Sequence, residues 1–163
     1  GRYWSANPEW LSQTESTSKG GRSLLLSFIQ EIDICIDQTL SKLEEGYHID
    51  AFLWHQGESD QGKGKDYYDN LKAVVTYVRT HLSQKTGKDY SKLPFIFGTV
   101  ARSNKSYSCE VEAGMRHLAE EDSNAYLIDM SDAELLNDRL HFNKKSAEHL
   151  GKEMYKRLAE IMF

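Results

Sequence analysis

The 163-residue chain has no apolar run close to the ~20 residues that span a bilayer. Its longest candidate, residues 24–29, is interrupted by Ser27. Cysteine is scarce as well. Cys35 and Cys109 offer no metal-binding spacing and no disulfide framework, and both are expected as free thiols in the helix-packed core. Basic residues are not in excess. A formal net charge of -5 argues against a phosphate-binding surface, so no nucleic-acid partner is expected. Internal repeats, low-complexity tracts and linkers are also missing. The chain opens on Gly1-Arg2-Tyr3-Trp4 without an initiator methionine or signal-peptide pattern, and so reads as a processed or excised product. The compartment is not legible, although a secreted or periplasmic one fits. What is present is 39% hydrophobic and 28% charged residues, the composition of a single folded domain over 1–163.

Residues 1–21 are polar and rich in Ser, Thr and Gly, and read as a loop. From Leu25, apolar residues recur at helical spacing through Phe28, Ile29, Ile32, Ile36, Leu40 and Leu43, ending near Gly46. Residues 49–54 form a short apolar run, best read as a buried parallel strand. Leu71, Val74, Val75, Val78 and Leu82 mark a second helix, and Pro94 opens a strand over 95–100. Val111, Met115 and Leu118 mark a third helix, residues 125–130 a third strand, and Ala147, Leu150, Met154, Leu158 and Ile161 a last helix. This alternation predicts an α/β fold with a parallel sheet covered on both faces. Three strands are few for a doubly wound sheet, which usually has about five or six. The chain therefore reads as the C-terminal portion of a larger domain.

Two runs carry chemistry. Trp54-His55-Gln56-Gly57-Glu58-Ser59-Asp60 crowds an imidazole, an amide and two carboxylates just past the first predicted strand. Asp138-Arg139-Leu140-His141-Phe142-Asn143 follows the last one and offers a carboxylate three residues before a histidine. Ligands of open parallel sheets bind beyond the carboxyl ends of strands, so both runs belong at one rim. Acyl transfer needs donors for a developing oxyanion, and the Gln56 amide, followed by flexible Gly57, suits that task. His141 suits a general base, with Asp138 or Glu58 to hold its tautomer. His55 reads either as a buried histidine bracing the strand end or as a substrate contact. Asp60 reads as an N-cap for the following helix, and Trp54, Tyr67 and Tyr68 as packing residues. His48, His81, His117 and His149 read as surface histidines. His55, Glu58 and Asp60 match no trusted zinc signature, so no metal or other cofactor is expected.

The His55-Gln56-Gly57-Glu58 block, paired with Asp138 and His141 and followed by Phe142-Asn143, resembles the sialate O-acetylesterase-like group of SGNH hydrolases. That group includes carbohydrate esterase family six. The resemblance runs through nearly all 163 residues in block order and helix placement. It implies an SGNH-hydrolase-like (flavodoxin-like) three-layer α/β/α fold, here truncated at the N-terminus. It also implies a serine acetylesterase with Gln56 in the oxyanion hole, His141 as base, and Asp138 or Glu58 as its acid partner. Gly20-Gly21-Arg22-Ser23 resembles a further block of the group, where the Gly21 backbone would add an N–H near the substrate.

That group's nucleophile sits in a Gly-x-Ser segment after its first strand, and no serine here matches. Gly57-Glu58-Ser59-Asp60-Gln61 fails the Gly-x-Ser-x-Gly elbow at its last position. Ser5, Ser12, Ser16, Ser18 and Ser23 follow no predicted strand. The chain alone is therefore expected to lack the nucleophile, with a preceding segment of its own polypeptide as the partner that supplies it. The expected activity is removal of acetyl groups from a carbohydrate such as sialic acid or xylan. An inactive carbohydrate-binding or interaction module on the same scaffold is the alternative. A glycosidase using Glu58 and a second carboxylate is a weaker one.

Overall fold

The computed structural model describes residues 4–7 and 23–163. Four helices, α1 (Leu24–Gln38), α2 (Tyr67–Thr86), α3 (Cys109–Glu121) and α4 (Lys144–Met162), alternate with strands β1 (Phe52–Trp54), β2 (Phe95–Gly98) and β3 (Ala125–Ile128). The α/β class expected from the periodicity is the one observed. The chain divides into two compact units: Gly1–Ile49 with Asn70–Lys92, and Asp50–Asp69 with Leu93–Phe163.

In the first unit, Ser23 caps α1 by accepting the Leu26 N–H at 3.2 Å, and Leu25, Ile29 and Ile36 form its buried stripe. The helix stops earlier than the apolar spacing suggests. Thr39 leaves helical geometry, and a 3-10 turn over Leu40–Lys42 follows, leaving Leu43 half exposed. Cys35 lies off the buried stripe and is exposed, which corrects its expected place in the core. His81 is no bare surface histidine: its Nε2 meets Asp33 Oδ1 at 2.7 Å, joining α2 to α1. Lys85 pairs with Asp37 one turn further on, at 2.7 Å.

In the second unit, the sheet runs β1-β2-β3 with all pairings parallel. Registers of Phe52 on Phe95 and Ala125, and of Leu53 on Ile96 and Tyr126, set two alternating faces. On one, Ile96, Ile128 and Met130 pack with Leu150 and Met154 of α4. On the other, Phe95 and Phe97 stack on each other with no exposed surface, worth about 1.5–3 kcal/mol each. Ser108 caps α3, which packs on β3, and Asn143 caps α4 by accepting the Ser146 N–H. Cys109 opens α3 and is also exposed rather than buried. Among the described residues, no helix is long and apolar enough to cross a membrane.

Candidate active site

Past Trp54, at the carboxyl end of β1, the chain turns into a 3-10 stretch over Glu58–Asp66 before α2 begins. Gly57 sits at this corner and is not flexible: it is buried, and a Cβ there would lie 2.8 Å from Val100 Cγ2 and 2.9 Å from Met115 Cε. The glycine is needed for close approach to α3, not for freedom of the backbone. Gln56 is anchored twice. Its side-chain nitrogen donates to Asp60 Oδ2 at 2.5 Å, and its backbone carbonyl accepts from the Tyr67 hydroxyl at 2.8 Å. Asp60 is 2% exposed and does not cap α2, which begins only at Tyr67. Burial raises the Tyr67 phenol above its ordinary pKa, and the charges of Asp60 and Glu58 add to the rise. Trp54 and Tyr67 are both buried, as packing residues should be, but Tyr67 also holds the block's backbone in place.

His55 is exposed, contrary to the buried brace expected of it. Its ring lies 4.6 Å from that of Phe142. Gly98, at the end of β2, leaves room for this arrangement; a Cβ there would come 3.3 Å from His55 Cδ2 and 2.9 Å from Leu150 Cδ1. His117 likewise has a partner, stacked 4.1 Å from Tyr68.

The second block lies on a strap that folds back on itself. Leu135 bridges antiparallel to Phe142, and the Leu136 N–H donates to the His141 carbonyl at 2.8 Å. Between Asp138 and His141, Arg139 takes φ +57°, the left-handed region that a non-glycine residue rarely adopts. That turn lets Asp138 Oδ1 accept the N–H groups of Leu140 and His141, at 2.9 and 3.1 Å. Asp138 Oδ2 then meets His141 Nδ1 at 2.6 Å. A carboxylate can only accept, so Nδ1 carries the proton. The His141 hydrogen bond, helped by the two backbone donors, holds the Asp138 carboxyl well below the usual carboxylate range. Loop residues after β2 clamp the strap: Asn104 Nδ2 donates to the Leu140 carbonyl at 2.8 Å, and the Lys105 N–H to that of Arg139 at 3.0 Å.

Both blocks meet in one cavity of about 540 Å³, whose walls include His55, Glu58, His141, Phe142, Leu53 and Met154. His55, Glu58 and His141 are thus brought together. Asp138 stands behind His141, and Gln56 lies beside the wall without forming part of it. Among the described residues, no serine lines this cavity. Gly21 lies outside the described residues; Ser23, from the same short block, is the N-cap of α1. Among the described residues, no group of three or more His, Cys, Asp or Glu could hold a metal ion. Sequence reasoning missed the Asp60 and Tyr67 anchors of Gln56 and the Asn104 clamp. Tyr67 and Asn104 meet partners 11 and 36 residues away, whereas Asp60 lies only four residues from Gln56, a spacing that does not by itself choose a side-chain contact over a helix cap.

The chain is similar over residues 16–160 to the family model described as carbohydrate esterase, sialic acid-specific acetylesterase. No curated protein matches it. It is similar in structure to a crystallised protein from Arabidopsis thaliana, with a TM-score of 0.69 and 22% identity over 92% of this chain. That likeness shows the fold, an open parallel sheet with flanking helices of the α/β three-layer, SGNH-like kind. The chain spans 56% of the length of that protein. By the match over residues 16–160, it belongs to the carbohydrate esterase, sialic acid-specific acetylesterase family.

Proposed function

We propose that this chain supplies the acid–base and oxyanion half of a serine hydrolase that removes acetyl groups from a carbohydrate. The observation that carries the reading is the His141–Asp138 pair, 2.6 Å apart, whose histidine lies on a cavity wall with His55 and Glu58 of a distant block. With Nδ1 held by Asp138, Nε2 is left to exchange protons. The nucleophilic serine comes from a segment preceding Gly1. Its Oγ attacks the acetyl carbonyl as its proton passes to His141. The Gln56 amide stabilises the oxyanion; one such donor is worth about 3–4 kcal/mol. His141 returns the proton to the departing sugar hydroxyl, and water then releases acetate from the acetyl-serine by the same steps in reverse. Glu58, on the same wall, is the alternative acid partner, and His55 contacts the sugar.

One observation favours a second reading, a binding module without turnover: the cavity beside His141 is lined by no serine among the described residues. Turnover of an acetylated sugar and an aryl acetate by the polypeptide that includes the preceding segment decides between them. Turnover that falls at least about 10²–10⁴-fold in His141→Ala supports the esterase. An intact polypeptide that binds acetylated sugar but releases no acetate overturns it in favour of the binding module.

A further inference from the structure

Resting on the esterase reading, we infer that Asp60 is a positioning residue: its buried carboxylate fixes the Gln56 amide with the nitrogen turned inward and so presets the oxyanion donor. A glutamine amide is nearly symmetric in shape, and its oxygen and nitrogen exchange places at little steric cost. A carboxylate breaks that symmetry because it accepts hydrogen bonds and cannot donate them. With Asp60 Oδ2 2.5 Å from Gln56 Nε2, only the N–H orientation is compatible, and that nitrogen carries a second N–H that this bond does not use.

The surroundings make this preference strong. Asp60 is 2% exposed, and a charge-assisted bond in such a place is stronger than one in water. Tyr67, itself 3% exposed, pins the backbone of Gln56 through its carbonyl at 2.8 Å, so main chain and side chain are held independently. Gly57, packed against Val100 and Met115, fixes the corner between Gln56 and Asp60. The cluster holds one amide in one orientation before any substrate arrives, which is the preorganisation that oxyanion stabilisation requires.

The test is Asp60→Asn, which keeps the shape but pairs with either face of the Gln56 amide. In the polypeptide carrying the nucleophile, kcat on an aryl acetate is expected to fall about 10- to 100-fold with KM within about twofold. Gln56→Ala should lower kcat at least as far, and adding Asp60→Asn to it should cause no further loss. A merely structural Asp60 gives additive losses or an unchanged kcat, and either result overturns the inference while leaving the esterase reading intact. Should Asp60→Asn fail to fold, the ¹⁵N–¹H spectrum of the wild-type chain decides. One Gln56 side-chain proton is expected downfield and slow to exchange; two protons with free-glutamine shifts and exchange overturn it. Absence of turnover in the wild-type polypeptide sinks the esterase reading instead, and the spectrum alone then says whether Asp60 holds Gln56.

Discussion

At the scale of single residues, the consequential contact is the one between Asp138 and His141. The aspartate is exposed, so the bond's importance lies in geometry: it sets the imidazole's tautomer and aim. Asp138→Asn is expected to lower kcat by about 10³–10⁴-fold in the active polypeptide, because an amide can donate to Nδ1 and stabilise the wrong tautomer. The pH behaviour follows from the depressed carboxyl. Its folded value lies below its unfolded one, so its contribution to holding the strap is complete above about pH 4. That contribution is lost only as pH falls through the lower folded value. The side-chain carboxyl ¹³C resonance of Asp138 should therefore show its own protonation step well below pH 4. A shift centred near 4 would mean that Asp138 is not held as the distances indicate.

At the scale of elements, the site depends on how closely the corner after β1 approaches α3. Gly57 faces Val111, Met115 and Val100, and a methyl group there meets all three within 3.1 Å or less. Gly57→Ala is expected to cost about 1–3 kcal/mol through overpacking, read as a lower urea midpoint with an unchanged m-value. It should also displace Gln56 and lower kcat. A variant of unchanged stability would show that the corner gives way freely. The strap before α4 is built differently, from a left-handed Arg139, a two-residue bridge and the Asn104 clamp.

At the scale of the whole molecule, one charged cluster ties the loop after β2, α3 and the end of β3 together. Glu112, 7% exposed, accepts from Arg116 at 2.7 Å, Tyr107 at 2.9 Å and Arg102 at 3.1 Å, and Arg116 continues to Asp129 at 3.3 Å. Burial by itself raises the Glu112 pKa, but the hydrogen bonds from Arg102, Arg116 and Tyr107 outweigh it and the net shift is downward. A depressed folded value means stability that is complete above the unfolded pKa and lost as pH falls through the folded one. Glu112→Gln should therefore lower Tm at pH 7, and the gap to the wild type should narrow on acidification to about pH 3. A gap that stays constant with pH would sink this account.

Short apolar runs and period-3.6 patterns in the sequence were enough to locate the three strands and four α-helices, because burial of apolar faces is a local, repeating demand. Element ends were less legible. α1 stops at Gln38 although its apolar spacing runs on, since Leu43 finds no burial. The site's composition was legible too: His55, Gln56, Glu58, Asp138 and His141 are the unusual residues at strand ends. The sequence alone determined the α/β class and the family resemblance, and offered Asp138 and Glu58 alike as the acid partner of His141; the structure puts Asp138 Oδ2 2.6 Å from His141 Nδ1. Only the tertiary structure decided that His55 faces outward onto Phe142, that Gly57 is a packing glycine, and that Asp60 holds Gln56 rather than capping a helix. The first two depend on groups brought together by sheet register and helix approach; Asp60 lies only four residues from Gln56, but that spacing does not say whether its carboxylate takes the side-chain amide or a helix N-terminus.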